Sequence, residues 1–538
     1  MIKQVLKIGI ISELLSLSLF SAASVPEPVT KESRPNMLFC IFDDASFSHF
    51  KANGCKWINT PGFDKVAQEG IRFENFYTTN AKCAPSRSSI LTGLYPWQLK
   101  EAANHIGFFP PEFKVFTEVL QENGYQIGYT GKPWGPGIAK AVDGKERPLT
   151  GAPYQKRTAS PPTTEISKVD YSGNFSDFLD DNLGGKPWFF WCGGFEPHRK
   201  YEFRSGITKG GKNTAMIDRV PAYLPDNDSV RNDLLDYAFE LEYFDNYILK
   251  LISELEKRGI LENTLIVITS DNGMPFPRSK GYSFEISNHM PMAVMWKKEI
   301  KNPGSTVCNY FSTVNLASTF LEVAGIIHEK SGMVASSGKS FAPIFQDISK
   351  GNNPTSKGVL LFGRERNDYG RPNNQGYPTR SIMKDDFLYI ANLKNDRFPG
   401  GNPETGYLDC DGSPSKSAIL NLRRSGVNDF HWKQSFGLRS DEELYDISKD
   451  KDCMNDLAKN PRYAKKKKEL KKQLFDSLKQ QKDPRMTGNG DVFDKYPFML
   501  PDYWNFWERV KSGEISDPAS KTGWVEPSDY EIEIQQSH

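Results

Sequence analysis

The sequence predicts an α/β protein with a large, mostly parallel sheet flanked by helices, followed by a smaller C-terminal α+β domain. Short apolar runs such as residues 36–44 and 264–273 are typical of strands that are buried on both faces. Helical periodicity between such runs favours a parallel sheet, because parallel strands need crossover connections. After about residue 355 the chain becomes rich in Gly, Pro and Asn, which indicates a change of domain.

Length and composition agree with this organisation. The chain has 538 residues, more than one typical domain, and 38% of them are hydrophobic, enough for a substantial core. The net charge is +1, with 25% charged residues, which argues against a protein that binds nucleic acid through its bulk charge. We therefore expect two domains and no nucleic-acid partner.

The N-terminus has the pattern of a secretory signal peptide. Lys3 and Lys7 precede a mostly apolar stretch at 8–20, and small residues follow at 21–23. The alternative is a cytoplasmic chain with a buried N-terminal helix. No later apolar run approaches the ~18 residues that a membrane span needs. We expect residues 1–23 to be a signal peptide and the mature protein to be soluble, without membrane insertion, in the periplasm or secreted.

The elements of the first domain follow one another in a strand–helix alternation. Besides 36–44 and 264–273, the apolar run 187–195 predicts a strand. Residues 233–258 carry apolar side chains at helical spacing, and Gly259 is expected to end that helix.

We place the boundary between the two domains near residue 355. The first domain is assigned to residues 34–355 and the C-terminal α+β domain to 356–538, where it contributes to the substrate pocket. The second domain contains a short strand pattern, FLYIANL, and a basic amphipathic helix. The basic run 465–468 is expected to be a solvated helix face rather than a binding patch.

Two predicted strands end in paired oxygen ligands. Asp43-Asp44 ends the apolar run 36–44, and Asp271-Asn272 lies near the end of the run 264–273. Ligands of open α/β sheets bind beyond the carboxyl ends of the strands, so neighbouring strands would bring these side chains together. Carboxylate and amide oxygens suit Ca²⁺ or Mg²⁺ better than zinc or copper. The alternative is that the Asp and Asn side chains cap turns or helices.

Seven scattered cysteines carry no CxxC pair, so a zinc site is poorly supported. An odd number in an exported protein leaves at least one thiol unpaired. Cys40 and Cys192 lie in apolar strand patterns and are expected to be buried filler. Cys83 differs from them, because it lies in the polar stretch NAKCAPSRSSILTGLYP.

This stretch resembles the signature of the sulfatase family, Cys-x-Pro-Ser-Arg followed by Leu-Thr-Gly. Every position of that signature is present: Cys83, Pro85, Ser86, Arg87, Leu91, Thr92 and Gly93. The resemblance implies that a separate maturation enzyme oxidises Cys83 to formylglycine (3-oxoalanine), whose hydrated aldehyde is the nucleophile. It extends over roughly residues 35–330 and implies an alkaline-phosphatase-like sulfatase fold with a catalytic first domain.

The other functional positions of the family also have counterparts in this sequence. The resemblance implies that Ca²⁺ is bound by the aspartate and asparagine pairs and the modified cysteine: Asp43, Asp44, Cys83, Asp271 and Asn272. It implies that Arg87 holds the hydrate, that Lys132 contacts sulfate, and that His198 protonates the leaving group. Lys280 is a further catalytic position, because its spacing to Glu285 and Pro291 matches the family pattern. Cations at these positions would offset the negative charge of a sulfate ester.

The sequence departs from the family pattern at two places. The histidine that usually follows the catalytic lysine by two residues is Trp134 here, so the base that deprotonates the hydrate is not assigned. His105 is a possible substitute, and the alternative is a structural histidine. The residues that follow Glu285 also differ, with Ile286, Ser287 and His289 where Gly-Gly and Arg are usual.

Within the family, the stretches TLIVITSDNGMPFPRSKG and FEPHR resemble the heparan N-sulfatase (sulfoglucosamine sulfohydrolase) branch, which includes bacterial enzymes for algal polysaccharides such as ulvan. The implied substrate is a sulfated saccharide, either ulvan-type or heparan-type N-sulfoglucosamine. Arginine pairs well with sulfate and carboxylate. Candidate substrate contacts are therefore His105, Arg199, Arg364 and Arg366. For the last two, the alternative is an ion network at the domain interface.

Two other functions remain open at this point. One is a phosphoesterase or phosphonate hydrolase of the same superfamily, although no histidine lies beside Asp43 or Asp271 as such enzymes usually require. The other is a catalytically silent saccharide-binding relative. Cys83, Arg87 and Lys132 are all present, and only Trp134 favours that alternative.

Overall fold

The computed structural model describes residues 34–182, 184–347 and 357–531. The predicted signal peptide, 1–23, lies outside these ranges. Among the helices that are described, none is long and apolar enough to cross a lipid bilayer.

A nine-stranded, mostly parallel sheet forms the centre of the molecule, in the order β11-β2-β10-β8-β1-β7-β4-β6 with β9 paired to β2. Only the contacts of β9 and β10 are antiparallel. A second, antiparallel sheet follows the order β12-β13-β14-β15, and β3 pairs with β5. The strands are β1 (Asn36–Phe42), β2 (Ile71–Tyr77), β3 (Gly107–Phe109), β4 (Gln126–Gly131), β5 (Gly137–Ala139), β6 (Ala152–Pro153), β7 (Trp188–Gly193), β8 (Thr264–Ser270), β9 (His289–Met290), β10 (Met292–Met295), β11 (Ser305–Ser312), β12 (Leu360–Arg364), β13 (Thr379–Lys384), β14 (Phe387–Asn392) and β15 (Glu442–Asp446).

The central strand β1 is apolar throughout because it is buried on both faces. Successive side chains of a strand point to opposite faces. Leu38 and Phe42 pack into the core on one face, whereas Phe39 and Ile41 pack into the core on the other. Both faces are therefore covered, and a three-layer α/β/α arrangement results. The prediction of a parallel sheet with doubly buried strands is confirmed.

Helices cover both faces of the large sheet. They are α1 (Pro61–Glu69), α2 (Cys83–Thr92), α3 (Phe116–Glu122), α4 (Tyr171–Asp180), α5 (Ser205–Thr208), α6 (Asp228–Lys257), α7 (Glu285–Asn288), α8 (Val314–Val323), α9 (Ile344–Asp347), α10 (Pro414–Arg424), α11 (Phe430–Ser435), α12 (Ala464–Gln480), α13 (Val492–Lys495) and α14 (Phe506–Lys511). The α6 helix begins five residues before the predicted 233–258. Its earlier start has a local cause, because the side chain of Asn227 accepts a hydrogen bond from the Val230 amide and caps the helix.

The second sheet is covered by α12, the predicted amphipathic helix. Leu470, Leu474 and Leu478 recur at helical spacing and are fully buried against this sheet. Lys465 and Lys468 are exposed, in agreement with a solvated basic face. The last strand of the large sheet, β11, and the first strand of the second sheet, β12, lie on either side of the predicted domain boundary.

Candidate active site

Four neighbouring strands of the large sheet end at one edge, and a predicted site residue follows each of them. In space they are ordered β4, β7, β1 and β8, and all their pairings are parallel. Lys132 follows β4 directly, and His198 follows β7 after a short loop. The Asp-Asp pair beginning at Asp43 follows β1, and the Asp-Asn pair beginning at Asp271 follows β8. The two oxygen-rich pairs are thus on adjacent strands, at the edge where ligands of such sheets bind.

The helix α2 brings Cys83 to this edge. Cys83 is the first residue of α2, so the partial positive charge of the helix N-terminus lies beside it. Its Sγ atom is 3.4 Å from Asp43 Oδ1 and 4.0 Å from Asp44 Oδ1. All ten residues of α2 are buried, and Cys83 is only 1% exposed. Cys83 therefore faces the acidic edge of the sheet from within the protein.

The glycine at the end of the signature is explained by the end of α2. Gly93 caps the helix in a left-handed conformation, with a φ of 72°. A Cβ atom at this position would lie 2.4 Å from Ser336 Oγ. The backbone conformation and the close neighbour both favour glycine, so Gly93 shapes the segment that carries Cys83 and Arg87 without taking part in chemistry.

The acidic edge has the donor set of a site for a hard divalent cation. One ligand atom from each of Asp43, Asp44, Cys83 and Asp271 lies within 4.8 Å of the others. Asn272 contributes a buried Oδ1 that has no hydrogen-bond partner. A buried acceptor without a partner is unfavourable unless something else binds it. Because carboxylate and amide oxygens are the ligands that Ca²⁺ prefers, the residues present fit this ion.

Three cations surround the carboxylates. Lys132 Nζ is 2.5 Å from Asp43 Oδ2, and Lys280 Nζ is 2.7 Å from Asp44 Oδ2. Arg87 donates from Nε to Asp271 Oδ2 at 2.8 Å, and from a terminal nitrogen to the carbonyls of Lys132 and Pro133. Its other terminal nitrogen is buried, lies 3.8 Å from Asp43 Oδ1 and has no hydrogen-bond partner. Its hydrogen-bond donors remain available to an anion bound at the site.

These contacts perturb the titration of the site. Burial opposes ionisation of Asp43, but Lys132 and His198 outweigh it and hold the pKa of Asp43 below its ordinary value. Burial also disfavours the charge of Lys280, yet two carboxylates keep the pKa of Lys280 well above its ordinary value. Burial, together with the Asp43 carboxylate, raises the pKa of the Cys83 thiol well above its ordinary value. The free thiol is therefore protonated at neutral pH and is a poor nucleophile.

His198 is oriented for proton transfer toward the site. Its Nδ1 donates to the carbonyl of Arg199 at 2.7 Å, because a carbonyl can only accept. The other ring nitrogen, Nε2, is 3.9 Å from Asp44 Oδ2. The side chain is 34% exposed, so Nε2 is accessible from the cleft that leads to the acidic edge.

Asp411 is a site residue that the sequence analysis missed. It lies in the chain segment beyond residue 355, and its Oδ2 is 3.1 Å from Lys280 Nζ. Lys280 is thereby held between Asp44 and Asp411, all three being buried. With Asp411 the site contains four carboxylates and three cationic side chains, so a bound divalent cation would make its net charge positive. The only sequence signal was the acidic pair around Cys410 in YLDCDG.

The structure shows what Trp134 does at the position of the usual histidine. Its Nε1 donates to Ser88 Oγ at 2.8 Å and to the Ala84 carbonyl at 3.2 Å, so it braces α2. His105 lies in the same cleft and pairs through Nδ1 with Asp368 Oδ1 at 3.0 Å. Its Nε2 is buried and has no partner. Burial lowers the pKa of His105 despite this carboxylate.

The three arginines that were predicted to bind substrate have other partners. Arg199 donates two hydrogen bonds to Asp233, at 2.6 and 2.8 Å. Arg364 donates to the carbonyls of Gly281 and Pro399. Arg366 donates to two carbonyls of the second domain and is 0% exposed.

The substrate-contact expectation is therefore corrected for Arg364 and Arg366. Arg364 connects β12 of the second sheet to Gly281, and the neighbouring Glu365 pairs with Arg380 at 2.6 Å. The interface network that was the alternative matches these contacts. Arg199 borders the cleft, but its guanidinium group is committed to Asp233.

All seven cysteines lie within the described residues, and each is a free thiol. Cys40 and Cys192 are fully buried and face each other across the β1–β7 pairing, as expected for filler. Cys83 is the one that adjoins the acidic edge.

A cleft of about 650 Å³ opens onto this edge. Its lining includes Asp43, Lys132 and His198, together with the aromatic rings of Trp134 and Phe195. A site of this size accommodates a small molecule or one end of a longer one.

Comparison with known proteins agrees with this geometry. A family model described as Sulfatase matches residues 35–326, more than half of the chain. The chain is 24% identical over 487 residues to an ulvan-active sulfatase of Formosa agariphila, which aligns 82% of this chain with 74% of that protein. It is 25% identical over 497 residues to N-sulphoglucosamine sulphohydrolase of Homo sapiens, with 86% of this chain and 94% of that protein covered.

A solved structure in complex with its substrate D-glucosamine-2-N,6-O-disulfate superposes with a TM-score of 0.56 at 22% identity, covering 84% of this chain and 98% of that one. At this identity the likeness establishes the fold alone. The family match over residues 35–326 establishes more: the chain belongs to the sulfatase family and is a hydrolase of sulfate esters or sulfamates.

Proposed function

We propose that this sulfatase is exported and removes sulfate groups from sulfated polysaccharides or their oligosaccharides, using a formylglycine formed from Cys83 and a bound Ca²⁺. The proposal depends on one observation: Cys83, Asp43, Lys132 and Lys280 lie close together at one edge of the sheet. The names of the relatives support a saccharide substrate, because one is ulvan-active and another acts on N-sulphoglucosamine.

The cations would bind the charged part of the substrate. A sulfate ester carries a negative charge that repels nucleophiles, and Arg87, Lys132 and Lys280 would offset it in a buried site where electrostatic interactions are strong. Arg87 has one unused buried donor for a sulfate oxygen. The Ca²⁺ would be held by Asp43, Asp44, Asp271, Asn272 and residue 83, and when bound it supplies further positive charge next to the sulfate.

Residue 83 is placed to be the nucleophile only after modification. The thiol is buried and its pKa is raised, so it is not a thiolate at neutral pH. A formylglycine at this position supplies a hydrated aldehyde, which offers one hydroxyl for attack and a second for release of sulfate. The N-terminus of α2 would favour negative charge that develops there.

His198 would protonate the leaving group. Its Nδ1–H is held by the Arg199 carbonyl, which leaves Nε2 to carry a proton toward the cleft. The departing oxygen of an ester, or the nitrogen of a sulfamate, would take that proton as its bond to sulfur breaks. The same geometry serves both substrate classes, so it supports ulvan-type and N-sulfoglucosamine substrates equally.

The location and maturation of the protein follow from the N-terminal pattern and from Cys83. We propose export to the periplasm or the medium, directed by residues 1–23. The partner required before activity is a formylglycine-generating enzyme, which would act on the segment around Cys83.

Mass spectrometry tests the modification. The tryptic peptide that contains residue 83 is analysed in protein made with and without a coexpressed maturation enzyme. We expect the aldehyde mass only with the enzyme, and we expect a Cys83→Ala control to lack it in both preparations. Unmodified thiol in every active preparation would contradict the proposal.

A substrate panel tests the activity. Sulfate release is measured on ulvan oligosaccharides, N-sulfoglucosamine and an aryl sulfate, with a phosphate monoester and a phosphonate ester beside them. We expect release from at least one sulfated saccharide and little from the phosphorus esters. Preference for a phosphorus ester would favour the phosphoesterase alternative. Tight saccharide binding without any turnover by the modified protein would favour a silent relative.

A further inference from the structure

The cleft is lined by groups of both charges. Lys132 lines it beside Asp43, with which it pairs. Three glutamates, Glu165, Glu196 and Glu240, also line the cleft and form an acidic wall. A sulfate belongs beside the cations around Asp43, so the acidic wall is available to the remainder of the molecule that carries the sulfate.

Glu240 is the unusual member of this wall. It lies on α6, is 1% exposed, and its Oε1 is buried without any hydrogen-bond partner. Burial, reinforced by the carboxylates of Glu196 and Glu165, raises the pKa of Glu240 well above its ordinary value. This shift favours the neutral carboxylic acid, which has both a donor and an acceptor to offer. An orphaned carboxyl oxygen at a cleft wall is unfavourable until a ligand pairs with it.

The other two carboxylates differ from Glu240 in their contacts. Both oxygens of Glu196 are occupied, by the Ser167 amide at 3.0 Å and the Tyr171 hydroxyl at 2.7 Å. Glu165 is exposed at the rim. Over the described parts of the chain, the ion pairs include neither Glu165 nor Glu240. The cation that acts on Glu240 is Arg199, and its guanidinium group is paired with Asp233, so the wall keeps an acidic character.

We propose that Glu240 and Glu165 form a subsite that binds uncharged hydroxyl groups of the sugar carrying the scissile sulfate and disfavours a second anionic substituent on that face. This inference rests on the proposed saccharide substrate. Glu240 exchanges hydrogen bonds with a hydroxyl, Glu165 accepts one at the rim, and the exposed ring of Phe195 offers an apolar surface to the sugar. The substrate class is a saccharide with a single anionic group at the reacting end.

The test measures binding, so that it does not depend on turnover. In a Cys83→Ala background with Ca²⁺ present, calorimetry gives the Kd of N-sulfoglucosamine, of monosulfated ulvan oligosaccharides and of inorganic sulfate. Inorganic sulfate reports on the cations around Asp43 alone. The variants are Glu240→Met, which keeps the volume and removes the hydrogen bonds, and Glu240→Gln, which keeps them. Glu254→Met, on the same helix but away from the cleft, is the matched control.

We expect Glu240→Met to weaken binding of the favoured saccharide about tenfold and to leave inorganic sulfate binding within about twofold. Glu240→Gln should retain most of the saccharide affinity, and Glu254→Met should behave like the parent. Because Glu240→Met buries an apolar group in place of an orphaned carboxyl, its Tm should not fall. Three outcomes would overturn the inference. Glu240→Met could weaken sulfate and saccharide binding alike, it could change neither, or the parent could fail to bind any of the saccharides.

A second comparison tests the discrimination of charge. The Kd ratio of D-glucosamine-2-N,6-O-disulfate to N-sulfoglucosamine, and of more to less sulfated ulvan oligosaccharides, is measured in the parent and in Glu165→Gln. We expect the parent to prefer the less sulfated partner and Glu165→Gln to reduce that preference several-fold. An unchanged ratio would overturn this part. Sulfate release by the unmutated enzyme remains the separate test of the proposed function, so the two failures are distinguishable.

Discussion

Replacement of Asp411 by Asn removes one of the two carboxylates that hold Lys280. The Nζ–Oδ2 distance is 3.1 Å, and both side chains are buried. At an effective dielectric constant of about 20, two unit charges at this distance attract by about 5 kcal/mol. Asp44 still pairs with Lys280 at 2.7 Å, so we expect a loss of about 3 kcal/mol in the free energy of unfolding, as is usual when one partner of a buried pair is removed.

The loss converts to a measurable thermal shift. For a chain of 538 residues the entropy of unfolding is about 1.1 kcal/mol per kelvin, so about 3 kcal/mol lowers the Tm by about 3 °C. Without Asp411, Lys280 pairs with Asp44 alone and competes with Ca²⁺ for that carboxylate. We expect the Kd for Ca²⁺ to rise about tenfold.

Asp409→Asn is the matched control for this prediction. Asp409 is equally buried but pairs with Arg371, at 2.5 Å, and makes no contact with Lys280. It should lower the Tm comparably and leave Ca²⁺ binding unchanged. Calorimetry with Ca²⁺ and thermal unfolding give both quantities. If Asp411→Asn bound Ca²⁺ as tightly as the parent, the assignment of Asp411 as a positioning residue for Lys280 would be refuted.

Lys132→Ala should reduce sulfate release at least about a hundredfold with an unchanged circular dichroism spectrum, and a near-normal rate would contradict its role. Trp134→Phe should lower the Tm by about 1 °C, through loss of the bond to Ser88, and keep kcat/KM within about threefold; a hundredfold loss would mean that Trp134 acts in the reaction. Burial lowers the pKa of His49 from 6.5 to about 4, so the unfolded state binds more protons between these values, and unfolding free energy falls as pH falls. By pH 5 the unfolding free energy has fallen by about 2 kcal/mol through His49, and His49→Gln should abolish this part of the pH dependence. If urea unfolding showed the same pH dependence in both proteins, His49 would not be its source.

The features that the sequence predicted correctly are local in the chain. The strands around Asp43 and Asp271 were identified because each is one short apolar run, and the segment of Cys83 because its signature is continuous. The parallel pairing of β1 and β8 then follows from the alternation of strands and helices. The start of α6 was placed too late, because a capping side chain, Asn227, rather than the apolar spacing sets it.

The features that were missed depend on contacts between distant segments. Lys280 and Asp411 are 131 positions apart, and His105 and Asp368 are 263 positions apart. No local pattern indicates such a pairing. The contacts of Arg364 were missed for a similar reason. It donates to backbone carbonyls, which every residue possesses, so the residue types in the sequence do not indicate these partners.

The complete burial of α2 has a consequence for biosynthesis. The proposed maturation enzyme would have to reach Cys83 and its neighbours, yet the folded protein buries all ten residues of this helix. If Cys83 is oxidised as proposed, its oxidation would compete in time with folding of the nascent chain, and a molecule that folded first would keep its thiol. The fraction of active molecules would then be set during synthesis, and the yield of active enzyme would depend on kinetics in the cell rather than on the stability of the folded protein.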